Sequence, residues 1–515
     1  MRKNSFYVSL LGNLMSGGKR IALGALVMGA LVCASCSDGA DCDETFQSSV
    51  HDAQLSSPTT DQVSFKTITN SDGSESVQVT WDLINGAGGY ECEVLNVDDP
   101  SNPTTVVEKT TVDGTSFTFK RAEDTNYQVS IRTLGNTRYN NTGDEDATLI
   151  AYSTFVQGQT VPVGSELSSW VASNLLDQED EQAVALVGGE TYELNGEIDF
   201  GRHPVTFRGE KGNPAIIKLG ATGIVRSASG LKIKYLNFDC TDQETIAYGS
   251  SKGYFPISCS ETKYADLEGT NFGQKDQGYY YDGSIIIQSC MFKNIKDGIF
   301  HSGGLAWMVT DLRMDDCIVQ LNNDGSNNKN GAIFNTYGSW GYKETSGVWY
   351  TCFQNVRVTN STFYNIASGN SNNRMFRCNN NTPSRSFATD NTSYTVENCT
   401  MIRTFDNKEF ANNTPNRAAC TINFNNNICY DVFRLQKFIQ GNCTNNVDKE
   451  TNTIWGVKNS VDSTDKSKWA TEENPAFVNL EDATKELDFT KENGGINLKA
   501  TGAISKNIGD PRWRD

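Results

Sequence analysis

Histidine is nearly absent. The 515 residues hold three, His51, His203 and His301, scattered along the chain, and from Cys36 onward there is no Cys-x-x-Cys pair. The ligand spacing of a structural zinc site is therefore missing. Proline is sparse as well, 11 against 45 glycines, which implies many tight turns and few stiff linkers. Basic residues are outnumbered: 44 Lys and Arg against 62 Asp and Glu give a net charge of −18. With no basic cluster, such a chain repels phosphate backbones, and nucleic acid is excluded as a partner. No apolar run reaches the ~20 residues of a membrane-spanning helix. Helical periodicity shows once, over 166–176, where Leu167, Trp170, Val171 and Leu175 share a face. What remains is a chain of 37% hydrophobic and 10% aromatic residues. That is enough for buried cores, and its length suits two to four domains at ~100–200 residues each.

The longest apolar run, 21–35, follows Lys19-Arg20 and ends in Leu31-Val32-Cys33-Ala34-Ser35-Cys36. Basic residues, a short apolar stretch and then small residues describe a secretory signal. The ending resembles a bacterial lipobox, which implies cleavage before Cys36 and a lipid on it; an uncleaved anchor is the alternative. Loss of 1–35 removes Arg2, Lys3, Lys19 and Arg20 and takes the charge from −18 to −22. The acidic stretch after Cys36 (Asp38, Asp41, Asp43, Glu44) resembles the surface-export signal of Bacteroidetes lipoproteins, with a plain linker over 36–59 as the alternative. The expected location is the outer membrane, at the cell surface.

Over 60–160 the chain alternates in short strands: SVQVTWDL puts Val77, Val79 and Trp81 on one face, and YECEVLNV and NYQVSIRTL repeat the period. With Trp81, Tyr90 and Tyr127 at their places, this stretch resembles a fibronectin type III sandwich, a module that serves mostly as a spacer.

From 161 to 515 the pattern becomes Gly-punctuated short strands that repeat. LKIKYLNFDC, IIIQSCMFKNI, LRMDDCIVQL, VRVTNSTFYNI, YTVENCTMIRT and INFNNNICYDV align, each an apolar alternation, a polar pair and a second strand. The pair is often Asn-Cys, Asn-Ser or Asn-Asn, and Asn tolerates the left-handed backbone of a sharp turn. Residues 321–450 hold 28 Asn. A second column shares one Phe: Phe300, Phe334, Phe376 and Phe410. Three short strands per repeat predict a right-handed parallel β-helix, with 166–176 as a capping helix at its N-terminal end. The whole chain is thus expected to be all-β. The repeats resemble the pectin-lyase-like superfamily, and more closely uncharacterised Bacteroidetes lipoproteins associated with polysaccharide utilisation. Fourteen Cys invite a disulfide reading, but Cys240, Cys290, Cys317, Cys399 and Cys429 recur beside a turn and suit a column of buried thiols.

If the shared Phe points inward, the residue after it points out. The expected exposed column is His301, Asn335, Arg377 and Ala411, with Arg374 and Lys408 near the strand starts. A lyase on this fold needs a base and a group that neutralises a uronate carboxylate; Arg377 and Arg374, with His301 and Asn335, are the catalytic candidates. Asp297, Asp311, Asp315 and Asp316 offer hard oxygen ligands, making Ca2+ the candidate ion. Exposed rings stack on sugars, which nominates Trp340, Tyr342, Trp349 and Tyr350 as substrate-binding residues. The expected function is a surface lipoprotein that binds or helps process polysaccharide. The alternatives are a polysaccharide lyase acting on uronate glycans by β-elimination, and a structural or partner-binding surface protein.

Overall fold

The computed structural model describes residues 50–514 apart from 72–73, 249–250, 267, 270–277, 306, 327–330, 337–352, 369–372, 379–390, 406–407, 433–436 and 457–468. The leader, Cys36 and all four candidate sugar-stacking aromatics, Trp340, Tyr342, Trp349 and Tyr350, lie outside the described residues. The chain divides into two compact units, one ending at Phe155 and the other starting at Val156. The strand Gly158–Val161, assigned mostly to the first domain by the sequence pattern, pairs in parallel with Gln182–Leu186 and so belongs to the second unit.

The first unit is built from two antiparallel sheets. Val63–Thr69, Glu75–Trp81 and Ser116–Lys120 form one; Thr104–Val112, Tyr90–Asn96, Asn126–Thr133 and Thr148–Ser153 form the other. Alternate residues face the core as the period of two requires: Val77, Val79 and Trp81 from one sheet, Tyr90, Cys92, Val94, Tyr127, Val129 and Ile131 from the other.

The second unit is a parallel β-helix, and strand order alone establishes it. Successive strands visit three sheets in rotation. Val205–Arg208, Ala215–Leu219 and Ile224–Ser227 are followed by Leu231–Lys234, Leu236–Asp239 and Ile257–Cys259, each parallel to and in register with its predecessor one coil earlier. The rotation continues through Cys420–Asn425 and Ile428–Tyr430. Among the described residues the sheets hold eleven, ten and seven strands. Each buried coil residue sits over its equivalent; Phe238 and Phe292 stack with centroids 5.1 Å apart, and Phe334 and Phe376 with 5.9 Å. Such stacks add roughly 0.5–1.5 kcal/mol beyond the area they bury.

The polar pair of each repeat is the turn between the eleven- and ten-stranded sheets. Tyr235, Ser289, Asp316, Asn360, Asn398 and Asn426 all hold φ between +51 and +57 there. Among residues with a side chain Asn takes this conformation at low cost, which accounts for its share of the later coils. The next residue points inward. Cys290, Cys317, Ser361, Cys399, Asn427 and Asn452 form that column, and Cys399 N–H donates to Asn427 Oδ1 (3.0 Å) while Asn427 N–H donates to Asn452 Oδ1 (3.0 Å). Cys240 and Cys429 are not part of it: Cys240 follows the strand Leu236–Asp239, and Cys429 is central in Ile428–Tyr430. The ten described cysteines are free thiols, nine of them buried.

The helix is Leu167–Asn174, shorter than the pattern over 166–176. Glu166 is its N-cap, accepting from Ser169 N–H (2.8 Å), and Leu167 and Val171 enter the solenoid core. The C-terminal segment leaves the solenoid pattern. Residues 474–514 do not close a last coil. They run back over the outer face of the ten-stranded sheet and make a second core there, in which Ile318, Tyr364 and Ile402 of the coils meet Leu487, Ile496, Leu498 and Trp513.

Candidate functional site

The shared Phe column holds for three coils. Phe300 pairs with Phe334 and Phe334 with Phe376, but Phe376 pairs with Ala411, one residue past Phe410. The column after it is therefore His301, Asn335, Arg377 and Asn412, not Ala411. It also extends backward. His301 pairs with Ser258, Ser258 with Arg226 and Arg226 with Asp199, so seven polar residues stand in register on the outer face of the seven-stranded sheet. Steps of ~4.8 Å separate neighbours.

The expectation that this column is exposed does not hold. His301 is 1% exposed, Asn335 0% and Arg377 6%. The cover over His301 is an excursion of the preceding coil, the one that carries Ser258. Residues 240–248 and 251–256 leave the sheet, pair Ile246–Tyr248 with Ser251–Gly253, and lay Tyr248 and Phe255 against the imidazole, centroids 3.7 and 4.8 Å away. Nδ1 of His301 accepts from Gly303 N–H (2.9 Å), so that nitrogen carries no proton. Arg374 is also buried, 3.5 Å from Glu409. Burial pushes the Arg374 guanidinium below its ordinary value, and Glu409 opposes the shift. Arg374 thus stands beside its own carboxylate.

The four aspartates do not converge on an ion. Asp297 accepts from Tyr254 N–H (3.0 Å), Asp311 pairs with Arg313 (2.9 Å), Asp315 accepts from Thr359 and Asn360 (2.6 and 2.7 Å), and Asp316 pairs with Arg512. Among the described residues no three metal-ligating side chains gather. This donor set does not fit Ca2+.

The column opens at its N-terminal end, in a cleft of about 490 Å3. Glu197, Asp199, Arg202, His203 and Tyr264 line it, beside the helix Leu167–Asn174. Arg226, buried, fixes the acidic wall: its Nε donates to Glu197 Oε2 (2.6 Å), and its Nη1 donates to Ser258 Oγ and the Cys259 carbonyl (both 3.1 Å) and lies 3.4 Å from Glu261. Asp199 Oδ2 accepts from Ser260 Oγ (2.6 Å). Glu261 accepts from Gly304 N–H (2.6 Å), yet burial still pushes its carboxyl up. Gly303 makes this turn possible: its φ is +75, and a Cβ there would stand 2.9 Å from Glu261 Oε1. At the rim Arg202 pairs with Asp266 (2.5 Å) and lies 5.9 Å over the Tyr264 ring.

Sequence reasoning missed this end. The column was sought through Phe, and the early coils place Ile198, Val225 and Ile257 at the inward position instead. An apolar residue followed by a polar one, in EIDF, IVRS and PISCS, was the signal.

Two family models match, both of domains of unknown function: one over 18–197, the other (DUF4957) over 190–366. They meet inside the solenoid, not at its border with the first unit. No curated protein matches the chain. Among solved structures the chain is similar to pectate lyase Pel3 from Pectobacterium carotovorum, at 10% identity over 80% of this chain and 90% of that one, with a TM-score of 0.19. It is similar also to pectate lyase PelI from Erwinia chrysanthemi in complex with tetragalacturonic acid, at 10% identity over 80% and 90%, with a TM-score of 0.16. At those scores the likeness carries no weight, and the β-helix rests on the strand registers above.

Proposed function

We propose that this protein is an outer-membrane lipoprotein, held at the cell surface by a lipid on Cys36, that binds polysaccharide through its β-helix. The observation that carries the reading is the cleft where the polar column opens, with Glu197 and Asp199 held by Arg226 and Ser260 and with Tyr264 and Arg202 at the rim. Pre-oriented carboxylates accept sugar hydroxyls, and an aromatic ring offers its face to a pyranose. The excess of carboxylates favours a neutral or amino sugar over a uronate. The first unit serves as a spacer of fibronectin type III kind; Tyr127 Oη accepting from Ala122 N–H (2.9 Å) supports that assignment, as the corner bond of such sandwiches. The solenoid is read as right-handed, with Leu167–Asn174 as its end cap.

The test is affinity electrophoresis of residues 37–515 through gels of neutral, amino and uronate polysaccharides. Retardation by a neutral or amino glycan, weakened about tenfold or more in a Glu197→Gln/Asp199→Asn variant, is expected, the usual cost of losing charged hydrogen bonds. Retardation unchanged in that variant would remove the cleft from the reading. A second reading is β-elimination on a uronate glycan, with the buried Arg374, 3.5 Å from Glu409, as the base. Growth of near-ultraviolet absorbance from unsaturated product, lost in Arg374→Ala, would put the lyase first.

A further inference from the structure

We infer that a second saccharide site lies under the C-terminal segment, on a different sheet from the cleft, and that it takes one or two rings of a neutral sugar. A cavity of about 680 Å3 separates the outer face of the ten-stranded sheet from residues 489–493, within the ~300–1,000 Å3 range of small-ligand sites. Its floor is the outward position of four successive coils in register: Ile216, Asn237, Met291 and Ile318. Three are apolar. Asn237 is 1% exposed, and its Oδ1 has no hydrogen-bond partner.

The same register column continues through Thr362, Thr400 and Thr453. There the returning segment meets each polar side chain. Thr362 Oγ1 donates to Asp510 Oδ2 (2.7 Å), Thr400 Oγ1 accepts from Asp510 N–H (3.0 Å), and Thr453 Oγ1 lies 3.0 Å from Ser505 Oγ. Over the floor that holds Asn237 the segment stands off and leaves the cavity. Packing does not call for an amide among Ile and Met, and a buried amide oxygen with no donor costs stability. A ligand hydroxyl supplies the missing donor, the apolar floor suits the C–H face of a pyranose, and Phe489 stands at the wall. Charge sets the class. Arg512 is taken by Asp316, Lys491 by Asp488 (3.1 Å), and the remaining charge at the rim is Glu492, which repels a uronate.

That the ligand is a sugar rests on the function proposed above; that the cavity is a site rests on Asn237. The experiment is calorimetric titration of residues 37–515 with maltose, cellobiose, lactose and digalacturonate. A neutral disaccharide is expected to bind at two sites: the one under the C-terminal segment is weakened at least tenfold in Asn237→Leu and kept in Glu197→Gln/Asp199→Asn, which weakens only the cleft. Without ligand, Asn237→Leu should melt at or above the wild-type temperature, because it removes an unpartnered amide. Should it fail to fold, Phe489→Ala must weaken binding instead. Two-site binding that survives both Asn237→Leu and Phe489→Ala, or binding that is lost only in the cleft variant, overturns the inference and leaves the proposed function standing. Binding lost only at Asn237 does the reverse for the cleft. Binding by none of the neutral sugars, or by digalacturonate alone, overturns this site.

Discussion

On the ten-stranded sheet the outward positions run Ile216, Asn237, Met291, Ile318, Thr362, Thr400 and Ile428, and residues 474–514 return along the chain to cover them. On the seven-stranded sheet they run Asp199, Arg226, Ser258, His301, Asn335, Arg377 and Asn412. Here the cover over His301 comes from the adjacent coil, and the polar groups from Asp199 to His301 are satisfied locally, by Ser260, Glu197 and Gly303. One face is an apolar surface that needs a distant segment of chain. The other is a polar surface covered at His301 by a hairpin of the adjacent coil and, among the described residues, open at its N-terminal end. The difference separates stability from recognition: the first face concentrates hydrophobic burial, the second leaves arranged carboxylates in reach of solvent.

The covered face should be the more costly to damage. Trp513 is 6% exposed, packs on Ile318 and Tyr364, and donates from Nε1 to Thr362 Oγ1 (2.7 Å). Trp513→Ala is expected to lower stability by about 3–5 kcal/mol. Hydrogen exchange should then speed up over 474–514 and along the ten-stranded sheet, and not on the seven-stranded one. Equal acceleration on both sheets would break the comparison.

Acidity gives a second handle on the same face. Burial pushes the Asp510 carboxyl from 3.8 up to about 6, against the opposing pull of Arg512. A carboxyl raised in the folded state binds its proton more tightly folded than unfolded. Its penalty is absent below about pH 4 and complete above about 6, so this group makes stability fall as pH rises through that window, by about 3 kcal/mol at most. Glu166 acts in the opposite sense. Burial alone would raise it, but the hydrogen bonds from Ser169, Asn195 and Ser168 prevail and hold it at about 2, so its contribution is present above 4.5 and lost as pH falls toward 2. Melting temperature against pH should lose the decline between 4 and 6 in Asp510→Asn, and keep it in Glu166→Gln.

Much of the solenoid was legible because its signals are local. An inward apolar residue, a left-handed Asn and a small inward neighbour recur within ten residues, and they gave the coils and the alignment of Phe300, Phe334 and Phe376. The fourth step slipped because the strand Ala411–Asn412 places Ala411 in register, while Phe410 packs beside Phe376 at 6.3 Å. Exposure was not legible. Whether His301 faces water depends on a hairpin folded back from 246–253, and no period in the sequence reports that. The returning segment was missed for the same reason, since Trp513 reaches Thr362 across 151 residues.

The polar face has its own test in Arg226. Its side chain is 4% exposed, while Glu197 and Glu261 are 46% and 34% exposed. Arg226→Met keeps most of the volume and removes the hydrogen bonds to Glu197, Ser258 and the Cys259 carbonyl. Glu197 can turn to water, so the expected loss is about 1–3 kcal/mol, below that of Trp513→Ala. Glu261 makes the loss depend on pH. Burial raises its carboxyl above 4.5, and Arg226 is one of the groups that oppose the rise. Without Arg226 the carboxyl goes higher still, and the penalty of ionising it in the folded state grows. The stability gap between wild type and Arg226→Met should therefore be smallest at or below pH 4.5 and widen toward neutrality. A gap that stays constant with pH would mean that Gly304 N–H alone holds Glu261, and that the arginine organises only Glu197 at the mouth of the cleft.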